Sequence, residues 1–211
     1  MTFNLSAQDL IYKEFKEIKR NPEVSIGFDV GLPDENTLMF KINSKFQYKK
    51  NFIIKKNWNK YNNYFEWRCT LLGPQDSPYK GGFFYLKVLF PSDYPQSKPE
   101  VRFITPIYHV NVNPVQKYGE DIDPLGHVCI STINKWNPNN TMKQVFYDIF
   151  ALFYLGNPDS PFSLDMQKEF KEHKDLYDRK VRYFVKKYAA IGKPFKEYKS
   201  WDFTYDANTN K

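Results

Sequence analysis

Cysteine and histidine are scarce in this chain: 211 residues contain two Cys, Cys69 and Cys129, and three His. Two distant cysteines cannot staple a disulfide scaffold and lack the CxxC spacing of structural zinc sites, so a reducing compartment, cytoplasmic and/or nuclear, is expected. No metal and no organic cofactor are expected. No apolar run approaches the roughly 18 residues of a membrane span, and residues 1–9 have neither a basic nor an apolar leader segment, so neither membrane insertion nor secretion is expected. Long blocks of one charge are also missing. Lys+Arg of 31 against Asp+Glu of 24 gives +7. The lysines are scattered (Lys49, Lys50, Lys55, Lys56, then 168–187 and 193–199) and interleaved with Glu, which reads as a solvated surface rather than a nucleic-acid stripe.

What is present is core-forming material: 41% hydrophobic and 18% aromatic residues, enough for one domain with decoration. Leu10, Ile11, Phe15 and Ile18 recur at helical spacing over 7–20, with Ser6 as N-cap and Asn21-Pro22 as a stop. Residues 31–36 carry turn chemistry, 38–42 and 46–48 look like strands, and the Asn/Lys-rich stretch 49–63 is expected to loop out. Strands are expected at 64–72, 83–90 and 100–104, and the short spacers between them favour an antiparallel meander. The chain is then irregular from 105 to 140, a length that usually carries function. Thr141 caps an apolar helix over 142–155 whose face is Val145, Ile149, Leu152 and Phe153. Residues 164–190 read as amphipathic helix, and 201–211 as a polar tail.

The irregular segment holds Tyr108-His109-Val110-Asn111 and Gly126-His127-Val128-Cys129-Ile130-Ser131. These residues permit three chemistries: a metal site, which the ligand count disfavours; a nucleophilic Cys129 paired with His109 or His127; or a Cys129 buried as a small hydrophobe between Val128 and Ile130.

Six collinear blocks change the weighting: Gly73-Pro74-Gln75-Asp76-Ser77-Pro78-Tyr79-Lys80-Gly81-Gly82-Phe83; Phe90-Pro91-Ser92-Asp93-Tyr94-Pro95 with Lys98-Pro99; the two motifs just named; Trp136-Asn137-Pro138; and Asn157-Pro158-Asp159-Ser160-Pro161. Together they resemble the ubiquitin-conjugating enzymes. The resemblance implies an α+β, UBC-like fold with an N-terminal helix, a four-stranded antiparallel meander, a central helix and C-terminal helices. It implies a core over 1–190, with insertions near 41–63 and 112–125, and a C-terminal extension at 191–211. It implies that Cys129 accepts ubiquitin, or a related modifier, as a thioester from an activating enzyme and passes it to substrate lysines with a RING-type or other ligase. A catalytically weak binding or scaffold protein is the alternative. Asn111 matches a family Asn that either donates to the oxyanion or braces the loop. His109 and Tyr108 match supporting residues, with Ser131, Asp159 and Ser160 beside them.

The chain departs from the family pattern at several positions. Val110 replaces the usual proline, so the loop carrying Asn111 is expected to be less rigid. Ser131 and Ser160 stand where many members carry a carboxylate that orients or desolvates the incoming lysine. The acidic trio Glu120, Asp121 and Asp123 in the second insertion is expected to form an exposed loop, which is either a tolerated surface insertion without consequence or the source of this negative field instead. Lys13, Lys16 and Lys19 on the first helix, with Pro95, Gln96, Trp136 and Pro138, match the family's surface for activating enzyme and ligase. Gln96 replaces an apolar residue there.

Overall fold

The structure is a computed structural model that describes residues 6–20, 28–31, 65–115, 124–194 and 196–205, with 28–31 described by backbone alone. The expected strands at 38–42 and 46–48, the polar stretch 49–63 and the acidic trio lie outside the described residues, as does the side chain of Lys19.

Helix α1, Ala7–Arg20, starts where its capping chemistry dictates: the Ser6 hydroxyl accepts the Asp9 N–H at 3.2 Å and donates to the Asp9 carboxylate at 2.7 Å. Its buried face is Ile11, Glu14 and Ile18; Lys13 and Lys16 point outward. A sheet follows with strands β1 (Phe28–Gly31), β2 (Glu66–Leu72), β3 (Phe83–Leu89) and β4 (Glu100–Phe103), antiparallel and in chain order. Strand β1 takes Gly31 out of the turn that the sequence suggested and pairs it with Arg68.

Side chains alternate between the faces of the sheet. Trp67, Cys69 and Leu71, with Phe84, Leu86, Val88, Val101 and Phe103, form the inner face. Trp67 is fully buried against Phe15, Phe90 and Phe146, with ring centroids 4.7–6.4 Å apart. The short helix α2, Ser131–Asn134, precedes α3, Met142–Leu152, whose start is fixed by a capping box between Thr141 and Gln144. Met142, Val145, Phe146 and Ile149 are its buried face. The helical tract read as 164–190 is two helices, α4 (Leu164–Glu172) and α5 (Lys174–Tyr188). They part at His173, whose backbone (φ −137°, ψ 53°) leaves the helical region while its carbonyl still accepts the Tyr177 N–H. Among the described residues no helix is long and apolar enough to cross a membrane.

Glu14 joins α1 to the rest. Its carboxylate accepts the Tyr94 hydroxyl at 2.6 Å and the Met142 N–H, at the start of α3, at 2.7 Å. Burial pushes its carboxyl above the usual range, and those two donors pull against the rise.

The C-terminal tail corrects the sequence reading. Residues 201–205 are not a polar tail: Trp201 belongs to the main core, and Phe203 stacks on Phe184 at 5.0 Å and lies 6.0 Å from the Tyr108 ring. On the way the chain crosses the outer face of β3. There the Tyr85 hydroxyl donates to the Lys193 carbonyl, and Glu197 pairs with Lys87 at 3.0 Å and Arg102 at 3.5 Å. Trp201→Ala should therefore lower stability by about 3 kcal/mol, a melting-point drop of roughly 5–10 °C by thermal denaturation. An unchanged melting temperature would mean that the tail adds nothing to the core.

Candidate active site

The two motif segments of the irregular region lie side by side. Cys129 N–H donates to the Asn111 carbonyl at 2.9 Å, Asn113 N–H to the His127 carbonyl at 2.9 Å, and Gly126 N–H to the Asn113 carbonyl at 2.9 Å. Gly126 is required at the crossing. Its φ is +81°, and a Cβ there would sit 2.0 Å from the Phe103 carbonyl oxygen and 3.2 Å from the Trp201 ring.

Cys129 is the partly exposed member of a buried run: Val128 and Ile130 on either side are sealed, and Cys69 is fully buried in β2. The bland reading of Cys129 as a buried hydrophobe therefore does not describe its position. Its sulfur faces the end of α2, where Asn134 Nδ2 lies 3.1 Å from Sγ. Helix α2 is fastened to α3 by Asp148, whose carboxylate accepts both the Thr132 N–H, at 3.3 Å, and the Thr132 hydroxyl.

Asn111 is fully buried, and every polar atom of its carboxamide is engaged. Nδ2 donates to the carbonyls of Asn157 at 2.7 Å and Ser160 at 2.9 Å, and Oδ1 accepts the Asn157 N–H at 2.7 Å. In this arrangement no amide hydrogen remains for an oxyanion. His109 is equally committed: Nδ1 accepts the Asn111 N–H at 3.0 Å, which places the proton on Nε2 for donation to the Leu152 carbonyl at 2.9 Å. Burial holds this imidazole down at about 4. It is a neutral strut rather than a general base. Tyr108 donates to Glu169 on α4 at 2.7 Å, Glu169 pairs with Lys180 of α5, and the Tyr79 hydroxyl donates to the Tyr108 carbonyl.

Val110 shows no slack. It is fully buried, its N–H donates to the Tyr177 hydroxyl at 3.0 Å, and its carbonyl accepts the Phe162 N–H at 3.0 Å. The donor that a proline would lack has a partner supplied by α5, a tether that opposes the expected loosening of this loop.

Ser131 and Ser160 are exposed, and Asp159 turns its carboxylate to Lys171 at 3.0 Å. Ser131 opens α2, while Asp159 and Ser160 lie in the loop gripped by Asn111. Among the described residues no three His, Cys, Asp or Glu side chains converge to hold a metal. On a separate face Trp136 Nε1 donates to the Pro95 carbonyl at 2.8 Å and its ring lies 5.8 Å from Tyr94; Gln96 and Pro138 are exposed beside them. Through Tyr94 and Glu14 this face is continuous with α1 and its exposed Lys13 and Lys16, the latter 4.0 Å over the Tyr12 ring. The sequence missed Asn134 and Tyr177. Asn134 stands five residues after Cys129, which is no helical or strand repeat, and Tyr177 is far from Val110 along the chain.

The fold is that of a modifier-conjugating class. Residues 35–185 match the family "Ubiquitin-conjugating enzyme", and the chain belongs to that family. It is 28% identical over 196 residues to ubiquitin-conjugating enzyme E2 15 of Schizosaccharomyces pombe, an alignment spanning 86% of this chain and 95% of that relative.

Two measurements check the site's scaffolding. Tyr177→Phe should cost about 1–3 kcal/mol by leaving the buried Val110 N–H unpaired, and less in a Val110→Pro background, where that N–H is gone and only the hydroxyl contact with Tyr79 is lost. Additive effects in this double-mutant cycle would show that the bond carries no weight. The second concerns pH. Unfolded His109 binds a proton near 6.5 and folded His109 only near 4, so between these values the unfolded state binds more protons. Stability is complete above pH 6.5 and falls as pH drops through the window. Glu14, raised on folding, tilts the opposite way, so a comparison with His109→Gln isolates the histidine. Denaturant melts should show the parent losing about 3 kcal/mol more than the variant between pH 7 and 4.

Proposed function

We propose that this chain carries the C-terminal carboxyl of ubiquitin as a thioester on Cys129 and transfers it to lysine amines, receiving it from an activating enzyme and working with a RING-type ligase. The observation that carries this reading is the contrast between the two cysteines: Cys69 is sealed inside β2, and Cys129 is open to solvent where segments 109–113, 126–130 and the start of α2 converge. A thiol suits both steps, because its thiolate is a strong nucleophile and its thioester is reactive toward amines.

In this reading Asn111 acts by fixing the 157–160 loop beside the thioester, and His109 and Tyr108 by fixing Asn111. Ser131, Asp159 and Ser160 border the path of the amine. The face formed by α1, Pro95, Gln96, Trp136 and Pro138 receives the activating enzyme and the ligase, with Lys13 and Lys16 facing acidic partner surfaces. Both cysteines are free thiols, in keeping with work in the cytoplasm or nucleus.

The test is charging with activating enzyme, ATP and ubiquitin, alongside related modifiers, read on gels with and without reductant. The parent should form a reductant-sensitive adduct and Cys129→Ser a reductant-resistant one, while Cys69→Ser should charge as the parent does. Loss of charging in a folded Cys69→Ser protein, or its persistence as a thioester in Cys129→Ser, would overturn the assignment.

A further inference from the structure

Most polar groups around Cys129 are turned away from it. The Asn111 carboxamide and the His109 ring are spent on backbone groups, and the Asp159 carboxylate on Lys171. Among the described residues a single side-chain donor reaches the sulfur: the Asn134 carboxamide, with Nδ2 3.1 Å from Sγ, a normal distance for a hydrogen bond to sulfur. We propose that Asn134 is a catalytic residue that stabilises negative charge on the Cys129 sulfur. This rests on the thioester reading of Cys129.

The placement of this donor follows from the local fold. Asn134 closes α2, with its N–H donating to the Ile130 carbonyl at 2.9 Å, so the helix folds its last side chain back over the residue that precedes its N-cap. The docking of Thr132 on Asp148, and of Asn140 Nδ2 on the Thr132 carbonyl at 3.3 Å, holds that turn in place. The Asn134 side chain itself is exposed. Replacing it therefore removes little packing, and the chemistry can be separated from the fold.

Sulfur carries charge at two moments. In charging, the Cys129 thiolate attacks the carbonyl carbon of the incoming thioester; the new C–S bond forms as the bond to the donor cysteine breaks, and that cysteine leaves as a thiolate. In discharge, a lysine amine adds to the same carbonyl and loses a proton to solvent, and the C–S bond breaks with its electron pair on Cys129, which is regenerated. A carboxamide N–H binds a thiolate more strongly than the uncharged sulfur of a thioester, so the donor acts most where the sulfur departs. The proton needed to complete the thiol comes from water.

The test uses the full chain. The uncharged protein is treated with iodoacetamide at pH 7.5 and alkylation of Cys129 is followed by mass spectrometry; the charged protein is then discharged to free lysine in a single turnover. Asn134→Ala should slow both by roughly 10-fold, and Asn134→Asp, which has the same shape with an anionic acceptor in place of the donor, should slow both further, with melting temperatures unchanged. Parental rates in Asn134→Ala, or in Asn134→Asp, would overturn the proposal, since a side chain that merely held the thiol's rotamer would be replaced by the isosteric carboxylate. Alkylation needs neither ubiquitin nor activating enzyme. A protein whose alkylation depends on Asn134 but which never charges would fail the thioester reading alone.

Discussion

A buried carboxamide is stable only if both its N–H groups and its oxygen find partners, because each unpaired group carries a desolvation penalty of about 1–3 kcal/mol. Asn111 meets that requirement with the backbone of the 157–160 loop, while its own backbone carbonyl receives Cys129 N–H. Three segments far apart in sequence are thus fixed by one residue. Much else supports it. His109 accepts its N–H, Tyr177 and Phe162 hold Val110 next to it, and the Tyr79 hydroxyl grips the carbonyl of Tyr108. The aromatic rings of α4, α5 and the C-terminal segment pack behind this row, so these elements help set the backbone on which Asn111 sits.

What was legible in the sequence was whatever depends on neighbours along the chain. Strands β2, β3 and β4 announced themselves by alternation and by their Gly/Pro boundaries, and α1 and α3 by Ser6 and Thr141, whose capping bonds are present. The site residues named from the motifs fall into two places in space, around Cys129 and along the face of Trp136. Their roles were less legible than their positions, because a role depends on partners from elsewhere. Nothing near Val110 reports that Tyr177 waits to accept its N–H. The break at His173 is a backbone excursion inside an otherwise helical pattern. Trp201 and Phe203 sit among Lys, Asp, Ser and Thr, so composition read the segment as solvated although its two large rings, spaced for an extended chain, enter the core.

The partner face shows the same logic at lower density. Glu14 is buried, yet it neutralises two orphan donors at once: the hydroxyl of Tyr94, next to the cis Tyr94-Pro95 bond, and the first N–H of α3. Helix N-termini favour a carboxylate, which offsets part of the burial penalty. Through this contact α1 is registered against Pro95 and Trp136, so a partner that grips both meets a surface of fixed geometry.

The hydrogen bonds between Asn113 and both Gly126 and His127 clamp the two ends of the stretch from 114 to 125 a single strand spacing apart. A segment clamped this way is a module. Adding or deleting residues beyond the clamp changes the entropy of closing the loop, by about 0.6 kcal/mol for a doubling of length, and leaves the backbone at Cys129 where it was. The chain between the clamped ends is thereby free to change in length and charge, across lineages or by engineering, while these bonds and the backbone at Cys129 are retained.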